Sequence, residues 1–261
     1  MSLTGKTLAN TYKDLLQVDN SNNGIGTATR NIKDGEGTGS CAYISDDNLV
    51  VRPQNDDTTK ALRVRAVDGT TVLAVDTTNQ LVVASGNNVN TQYATFSVGN
   101  SNSSSFASGN HHPLPFNGSY GSLGDFPTFG SATEPKVVFS TAEGGDTRAS
   151  CLVPCLWYLP DAISIDSITS IEGADTATGD TTRMHLFSYD FTSGSTSALT
   201  NGTLLAHNSD VTNAGSEQAY LSSWTVDSAA VASGKVILAF FQSDSINSDY
   251  SINITVKYHL T

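Results

Sequence analysis

Apolar residues in this chain fall mostly into short runs and period-two alternations, the pattern of strands rather than helices. Residues 250–260 alternate apolar and polar side chains, which predicts a strand with one buried face. Residues 235–242, KVILAFFQ, contain an unbroken apolar run, so we expect a strand covered on both faces, by a second sheet or by a subunit interface. Between residues 163 and 171 the alternation of apolar and polar residues shifts by one position after Ile165, which predicts a bulge.

Eight strands are predicted in residues 135–261, with turn signals between them. They cover 136–140, 151–158, 163–171, 182–191, 203–206, 219–226, 235–242 and 250–260. An all-β domain with this spacing of strands is expected to be a β-sandwich, most simply a jelly roll.

A second strand-rich region lies well before the sandwich, at residues 61–84, with Asp68 and Gly69 as a turn. A meander of this size is marginal in water, and its outer strands leave backbone groups unpaired. We therefore predict that residues 49–98 form a short stalk whose apolar face packs against the same segment of other copies of the chain. The side chains expected at this interface are Val64, Ala66, Val72, Ala74 and Val82.

Residues 1–48 are predicted to form an extended N-terminal arm that anchors the chain. Apolar residues at helical spacing predict a short amphipathic helix over 7–17, too short to be stable alone. Residues 19–39 are mostly Asn, Gly, Asp and Thr, so we expect them to run over a neighbouring protein. The apolar side chains expected to dock are Leu8, Tyr12, Leu15 and Leu16.

Residues 99–134 are rich in Gly, Ser, Asn and Pro and are predicted to connect the stalk to the sandwich. Five aromatic residues are spaced through this segment, whereas a disordered spacer would have few. We expect packing against an adjacent subunit to order it. Exposed aromatic rings can stack on sugars, and the candidate contacts for a glycan or protein receptor are Tyr120, Phe126, Phe129 and Trp224.

Charge excludes one class of partner. The formal net charge is -12, and residues 86–261 hold 15 acidic and 5 basic side chains. A nucleic-acid-binding surface needs clustered Lys and Arg, so nucleic acid is excluded as the main partner. The acidity is typical of a solvated surface that resists aggregation.

Cysteine and histidine offer limited metal chemistry. Cys151 and Cys155 would lie about 13 Å apart on one strand, too far for a disulfide, so the three cysteines are expected to be reduced. Their CxxxC spacing lacks the second ligand pair of a zinc site, and small buried hydrophobes are the preferred interpretation.

On a threefold axis one histidine per chain could bind a shared ion. Since His111 and His112 are adjacent, one of them, with His112 as the candidate, would point inward; a polar loop is the preferred alternative.

Other motifs are absent or incomplete. Gly5, Lys6 and Thr7 lack the first glycine and the strand of a phosphate-binding loop, so no cofactor is expected. The first residues lack the apolar core of a signal peptide, and no apolar stretch approaches membrane-spanning length. We expect a protein made in a cytoplasm and not inserted into a membrane.

Residues 7–53 resemble an N-terminal segment of structural proteins from tailed bacteriophages, especially marine ones. The shared pattern is K-D-L-L-x-V/I-D, a Gly/Asn turn, T-x-x-R and D-G-x-G, carried here by Lys13 to Leu16, Arg30 and Asp34 to Gly37. Residues 67–83 look like the short β unit of phage fibre shafts. Cys41 and Ala42 stand where related sequences tend to have two apolar residues.

The resemblance implies a homotrimeric virion component, with the arm docked on the particle and the β domain pointing outward. Two functions are expected from it: capsid decoration or a head fibre, and alternatively a tail fibre or spike that binds a host receptor. Enzyme activity is not expected, because the paired catalytic carboxylates on a long β-helix that mark a depolymerase are missing. The expected partners are other copies of the chain, phage capsid or tail proteins and, for an adhesin, the host surface.

Overall fold

The structure, a computed structural model, describes residues 15–21, 23–100, 109–118, 129–130, 134–135, 137–138, 152–174, 179–195, 199–214, 216, 218–244 and 250–261. The chain divides into two compact units, residues 1–89 and 90–261. Strands dominate, and the described residues contain no α-helix, so the all-β prediction is confirmed. In this part of the chain there is accordingly no helix long and apolar enough to cross a membrane.

The first unit contains two four-stranded antiparallel sheets, each with its strands in chain order. The strands of the first sheet are β1 (Gln17–Val18), β2 (Arg30–Lys33), β3 (Gly39–Ile44) and β4 (Leu49–Val51). The second sheet, the meander, comprises β5 (Leu62–Arg65), β6 (Thr71–Asp76), β7 (Leu81–Ala84) and β8 (Asn87–Asn88). The segment predicted as an extended arm is therefore folded from Gln17 onward, and its predicted end at residue 48 cuts the hairpin between β3 and β4.

The β5-β6 hairpin turns over three residues, 67–69. Ala66 and Thr70 are joined by a backbone hydrogen bond of 2.9 Å, and Gly69 has φ +87°, a conformation that favours glycine. The Asp68 carboxylate accepts a 2.8 Å hydrogen bond from the Thr70 N–H and fixes the turn. Beyond it the pairing shifts by one residue and leaves Val72 as the extra residue of a bulge.

The second unit is a sandwich of two antiparallel sheets. Its strands are β9 (Thr91–Asn100), β10 (His112–Pro113), β11 (Trp157–Tyr158), β12 (Ile163–Ala174), β13 (Thr181–Phe191), β14 (Leu199–His207), β15 (Val211–Thr212), β16 (Gln218–Ser223), β17 (Thr225–Val226), β18 (Ala230–Val231), β19 (Lys235–Ser243) and β20 (Tyr250–Leu260). The two sheets have the strand orders β16-β12-β20-β9 and β10-β19-β13-β14-β17, with the short β11, β15 and β18 pairing at their sides. Leaving out the short strands β17, β11, β15 and β18, the order is that of an eight-stranded jelly roll, as predicted.

Alternating apolar side chains from both sheets fill the space between them. Ile254 and Val256 from β20 meet Met184 and Leu186 from β13 in this core, all of them buried. The pairing of β12 with β20 shifts between Ile165 and Ser167, which confirms the predicted bulge. The C-terminal sandwich therefore carries its own hydrophobic core.

A second core lies on the outer face of the β19-β13 sheet. Phe129 and Leu152, from the chain between β9 and β11, cover Phe187 and Phe240 there. This contact explains why β19 is buried on both faces: the second cover is the chain's own insertion and not a subunit interface.

Three predicted boundaries are wrong. Strand β9 pairs with β20 along residues 91–100, so the stalk cannot extend to residue 98. The segment 99–134, predicted as a connector, contributes buried residues to the sandwich, which begins near residue 90 and not at 135. Residues 153–155 form a 3₁₀ turn within the predicted strand 151–158, and residues 137 and 138 of the predicted strand 136–140 are bends.

Candidate functional site

The meander carries one face that is apolar across its three longer strands, and at its outer edge Asn87 pairs with Ala84 on this same face. In an antiparallel sheet, residues directly opposite each other lie on the same face. Two rows of such pairs place six apolar side chains together: Leu62, Val75 and Val82 in one row, and Val64, Leu73 and Ala84 in the next. We call these six residues the apolar face.

The opposite face of the meander is mixed. One of its rows joins Arg63, Ala74, Val83 and Asn88, and another pairs Asp76 with Leu81. Charged and amide groups on this side are stable in water, so the two faces differ sharply in what they would gain from contact with a partner.

The predicted interface set does not lie on one face. Val64 and Val82 belong to the apolar face, but Ala74 lies on the mixed face, Val72 is the extra residue of the bulge, and Ala66 lies in the turn. Leu62, Leu73, Val75 and Ala84 were missed. A signal for them exists in the sequence, because a two-residue turn at Asp68 and Gly69 already places Val64 opposite Leu73.

The first unit has almost no buried residues. Among its described positions the buried ones are Gly35 and Ser45, and neither contributes an apolar side chain. On the apolar face Val64 remains 50% exposed and Leu62 42%. The eight strands of this unit therefore form without a hydrophobic core within one chain.

The predicted docking residues are only partly described. Leu8 and Tyr12 lie outside the described residues. Leu15 is half-buried and Leu16 is 75% exposed, and the chain then enters β1 at Gln17 rather than continuing a helix. Leu16 is thus an apolar side chain presented to solvent next to a sheet.

Two of the four predicted receptor contacts are wrong. Phe129 is fully buried, with its ring 5.1 Å from that of Phe240. Trp224 is buried between the sheets, and its Nε1 donates a 2.9 Å hydrogen bond to Ser170 Oγ. Tyr120 and Phe126 lie outside the described residues.

Histidines are clustered on the outer face of the larger sheet, under the insertion. His111 Nε2 and His185 Nδ1 lie 3.1 Å apart, and His185 is paired across the strands with His207. His207 Nδ1 lies 2.8 Å from the Asp227 carboxylate. The metal candidate His112 is buried on β10 opposite Phe241, inside the chain's own sandwich, so it is not presented to an axis shared with other chains.

Burial sets the protonation of this cluster. It lowers the pKa of His111 to about 3 and that of His185 to about 4, with further lowering by the neighbouring positive groups, including Arg183. Both rings are therefore neutral at pH 7, and one of them donates its N–H to the unprotonated nitrogen of the other.

A second buried polar cluster lies at one end of the sandwich. Both oxygens of Glu172 lie within 3.0 Å of Thr182 Oγ1. Nearby, Tyr250 OH is 2.8 Å from Ser243 Oγ and 3.3 Å from Asp180 Oδ2. Burial raises the pKa of Glu172 to about 7, and the hydrogen bond from Thr182 opposes this only in part.

Metal-ligating side chains do not converge in the described part of the chain, where no group of three or more His, Cys, Asp or Glu has a metal-binding arrangement. Cys41 is an exposed free thiol, and Cys155 is buried with its Sγ 3.7 Å from the Pro113 carbonyl oxygen. Cys155 thus occupies the small buried position expected for it.

Comparisons with known proteins give no family. No family model matches the chain, and no curated protein matches it. Among solved structures, the crystal structure of an aminopeptidase from a marine sediment archaeon, Thaumarchaeota archaeon, is similar at a TM-score of 0.31 and 8% identity. The match covers 72% of this chain and 40% of that one, so the chain spans less than half of that protein. A likeness this low carries no argument about activity.

Proposed function

We propose that this chain is a non-enzymatic structural protein of a tailed-phage virion that assembles as a homotrimer through the apolar face of its meander. The N-terminal segment docks on the particle, and the jelly roll is displayed outward as a capsid decoration or head fibre. One observation carries the proposal: the described residues of the first unit form eight strands and bury no apolar side chain, whereas those of the second unit enclose a hydrophobic core. A sheet without a core needs a partner.

Burial of the apolar face contributes free energy to self-assembly. Completing the burial of a half-exposed aliphatic side chain is worth on the order of 1 kcal/mol, so six of them contribute roughly 6 kcal/mol per copy. Association costs roughly 4–15 kcal/mol in lost freedom. Three copies together would gain roughly 18 kcal/mol against roughly 8–30 kcal/mol for the two association steps that a trimer needs. The meander alone is therefore close to balance, and further contacts between the copies supply the margin.

The docking and display parts of the proposal have separate support. The resemblance of residues 7–53 to phage virion proteins covers the first sheet, and Leu16 presents an apolar side chain beside it. The sandwich has its own core and is compatible with display away from the particle.

The self-assembly test compares Leu73→Asp with Val83→Asp. Both residues are half-buried within adjacent strands, but Leu73 lies on the apolar face and Val83 on the mixed one. We expect a trimer for wild type and Val83→Asp and a monomer for Leu73→Asp, measured by light scattering after gel filtration. Trimers from Leu73→Asp, or a monomeric wild type, would contradict the proposed interface.

The position on the virion is tested by counting copies. Electron microscopy of particles labelled on the sandwich is expected to show hundreds of copies on the shell. A handful at the tail would favour the second candidate, a tail fibre or spike adhesin. The burial of Phe129 and Trp224 removes half of the aromatic contacts on which that candidate was based.

A further inference from the structure

The two outer faces of the sandwich differ in how far the described chain covers them. The outer face of the β19-β13 sheet is closed by Phe129 and Leu152. Among the described residues nothing covers the outer face of the β16-β12-β20-β9 sheet in this way, and its side chains alternate with buried ones along β20. We call the outward positions from Tyr93 to Gly99 on β9, together with their partners on the three neighbouring strands, the open face.

The open face exposes large apolar side chains. Leu221 is 74% exposed, Tyr93 65% and Ile171 54%. Leu221 and Ile171 are direct cross-strand partners, and the same row continues through Asn253 to Ser97. The next row consists of small hydroxylated residues, Ser223, Thr169, Thr255 and Thr95.

The open face is also nearly free of charge. Lys257, paired with Tyr93, is charged, and the other described positions of the face are Ala, Gly, Ser, Thr, Asn, Ile, Leu and Tyr. The carboxylate of Glu172 on the same strand as Ile171 points into the sandwich and is buried. At the border of the face one carboxylate, Asp166 in the β12 bulge, lies 2.8 Å from His259 Nδ1. In a chain of net charge -12, a face with so few carboxylates is one at which two copies approach with little like-charge repulsion.

We propose that the open face packs against a second copy of this chain in the assembled protein. The inference rests on the proposed self-assembly in naming the occupant. Four strands about 4.8 Å apart and seven residues at about 3.3 Å give a face of roughly 400 Å², about half the area per partner of a standard interface. That area is too small for a stable complex alone, but it adds to the margin once the meander holds the copies together at high effective concentration.

The test uses the full chain with a photo-reactive benzophenone residue at Tyr93 or, as the matched control, at Tyr158. Both tyrosines are more than half exposed, and they lie on different sheets. Irradiation is expected to join Tyr93 to a second copy of the chain and to leave the Tyr158 variant uncross-linked. Trimers that cross-link equally from both sites, or not at all from Tyr93, overturn the inference.

A second pair of variants tests the chemistry of the contact. Leu221→Glu places a carboxylate on the open face and is expected to reduce cross-linking from Tyr93 by about tenfold or more, because the contact would have to bury an unpaired charge. Val153→Glu makes the same change at a 64% exposed residue outside the strands and should leave it unchanged. Equal cross-linking from both variants would contradict the contact.

The outcomes separate this inference from the proposed function. A trimer without cross-links from Tyr93 removes the open-face contact and leaves the meander interface standing. Cross-links from Tyr93 in a Leu73→Asp variant that stays trimeric remove the meander interface and keep the open face. A wild-type monomer without cross-links removes both.

Discussion

At the residue scale, the sandwich buries several ionisable groups that have few hydrogen-bond partners. Glu172 lies at one end of the sandwich with Thr182 as its hydroxyl donor, and His111 and His185 share one hydrogen bond under the insertion. Burial disfavours the charged form in each case, so the carboxyl gains protons and the imidazoles lose them relative to the unfolded chain. The two sites therefore change stability in opposite directions with pH.

The first prediction concerns Glu172. Its pKa is about 7 in the folded chain and near 4.5 when unfolded, so the folded state binds more protons between these values. The contribution of this residue to stability is therefore lost as pH rises from about 4.5 through 7. We expect Glu172→Gln to gain stability relative to wild type on going from pH 5 to pH 8, measured by urea unfolding. The exposed Glu36→Gln is the control, and an equal pH response of both variants would contradict the assignment.

The second prediction concerns the histidines. Their folded pKa values, about 3 for His111 and about 4 for His185, lie below the unfolded value of 6.5, so the unfolded state binds more protons between these limits. Their contribution to stability is therefore present above pH 6.5 and is lost as pH falls towards 4. Imidazole NMR signals of both residues are expected to stay at their neutral positions down to pH 5. A ring that titrates near pH 6.5 would show that it is not buried as described.

At the element scale, segments that look like linkers form structural parts of the sandwich. Phe129 lies in a Gly- and Ser-rich region, yet its ring packs against Phe240 and lies 6.3 Å from Tyr189. The backbone of His111 also bonds to both Phe129 and Gly130, which ties the insertion to β10. Of the two described aromatic residues in this region, Phe129 covers the larger sheet, whereas Phe116 packs on Phe96 and Trp157 at the core between the sheets.

The third prediction follows from that cover. Phe129→Ala removes a fully buried ring and is expected to cost about 3–5 kcal/mol of unfolding free energy. The matched variant Phe191→Ala, at a 40% exposed ring on β13, should cost about 1 kcal/mol or less. Denaturant unfolding measures both. If Phe129→Ala weakened binding to the host cell surface and left the free energy of unfolding unchanged, the receptor-contact prediction would be favoured instead.

At the scale of the whole molecule, the two units obtain their stability differently. The second unit buries apolar side chains from two sheets and an insertion, whereas the first has backbone pairing and half-exposed side chains. Backbone hydrogen bonds alone contribute little net stability in water. The first unit is therefore expected to depend on assembly in a way that the second does not.

The fourth prediction makes that difference measurable. Amide hydrogen exchange in β5 to β7 is expected to slow as protein concentration rises, because assembly protects the meander. Exchange in the central strand β13, which is buried within the sandwich, should be independent of concentration. Concentration-independent protection of both regions would mean that the meander is stable within one chain.

Much of the fold was predictable because local patterns determine it. The period-two alternation of β20, the bulge in β12 and the existence of the meander all follow from residues close in sequence. The apolar face was predicted only in part, since Val64 and Val82 share it while Ala74 does not. The turn at Asp68 and Gly69 pairs Val64 with Leu73, and side chains alternate along a strand, so the sequence already places Ala74 on the other face. The bulge that leaves Val72 without a partner has no such signal in the sequence.

The sequence by itself determined that the chain is all-β, that its C-terminal part is a sandwich and that the meander has an apolar side. Alternation and turn residues act over a few positions, so they can be seen without the fold. Only the tertiary structure decided that Phe129 and Trp224 are core residues, that β9 belongs to the sandwich and that the first unit, where it is described, buries no apolar side chain. Those facts depend on contacts between segments far apart in the chain, whose burial is a property of the packed molecule and not of any local pattern.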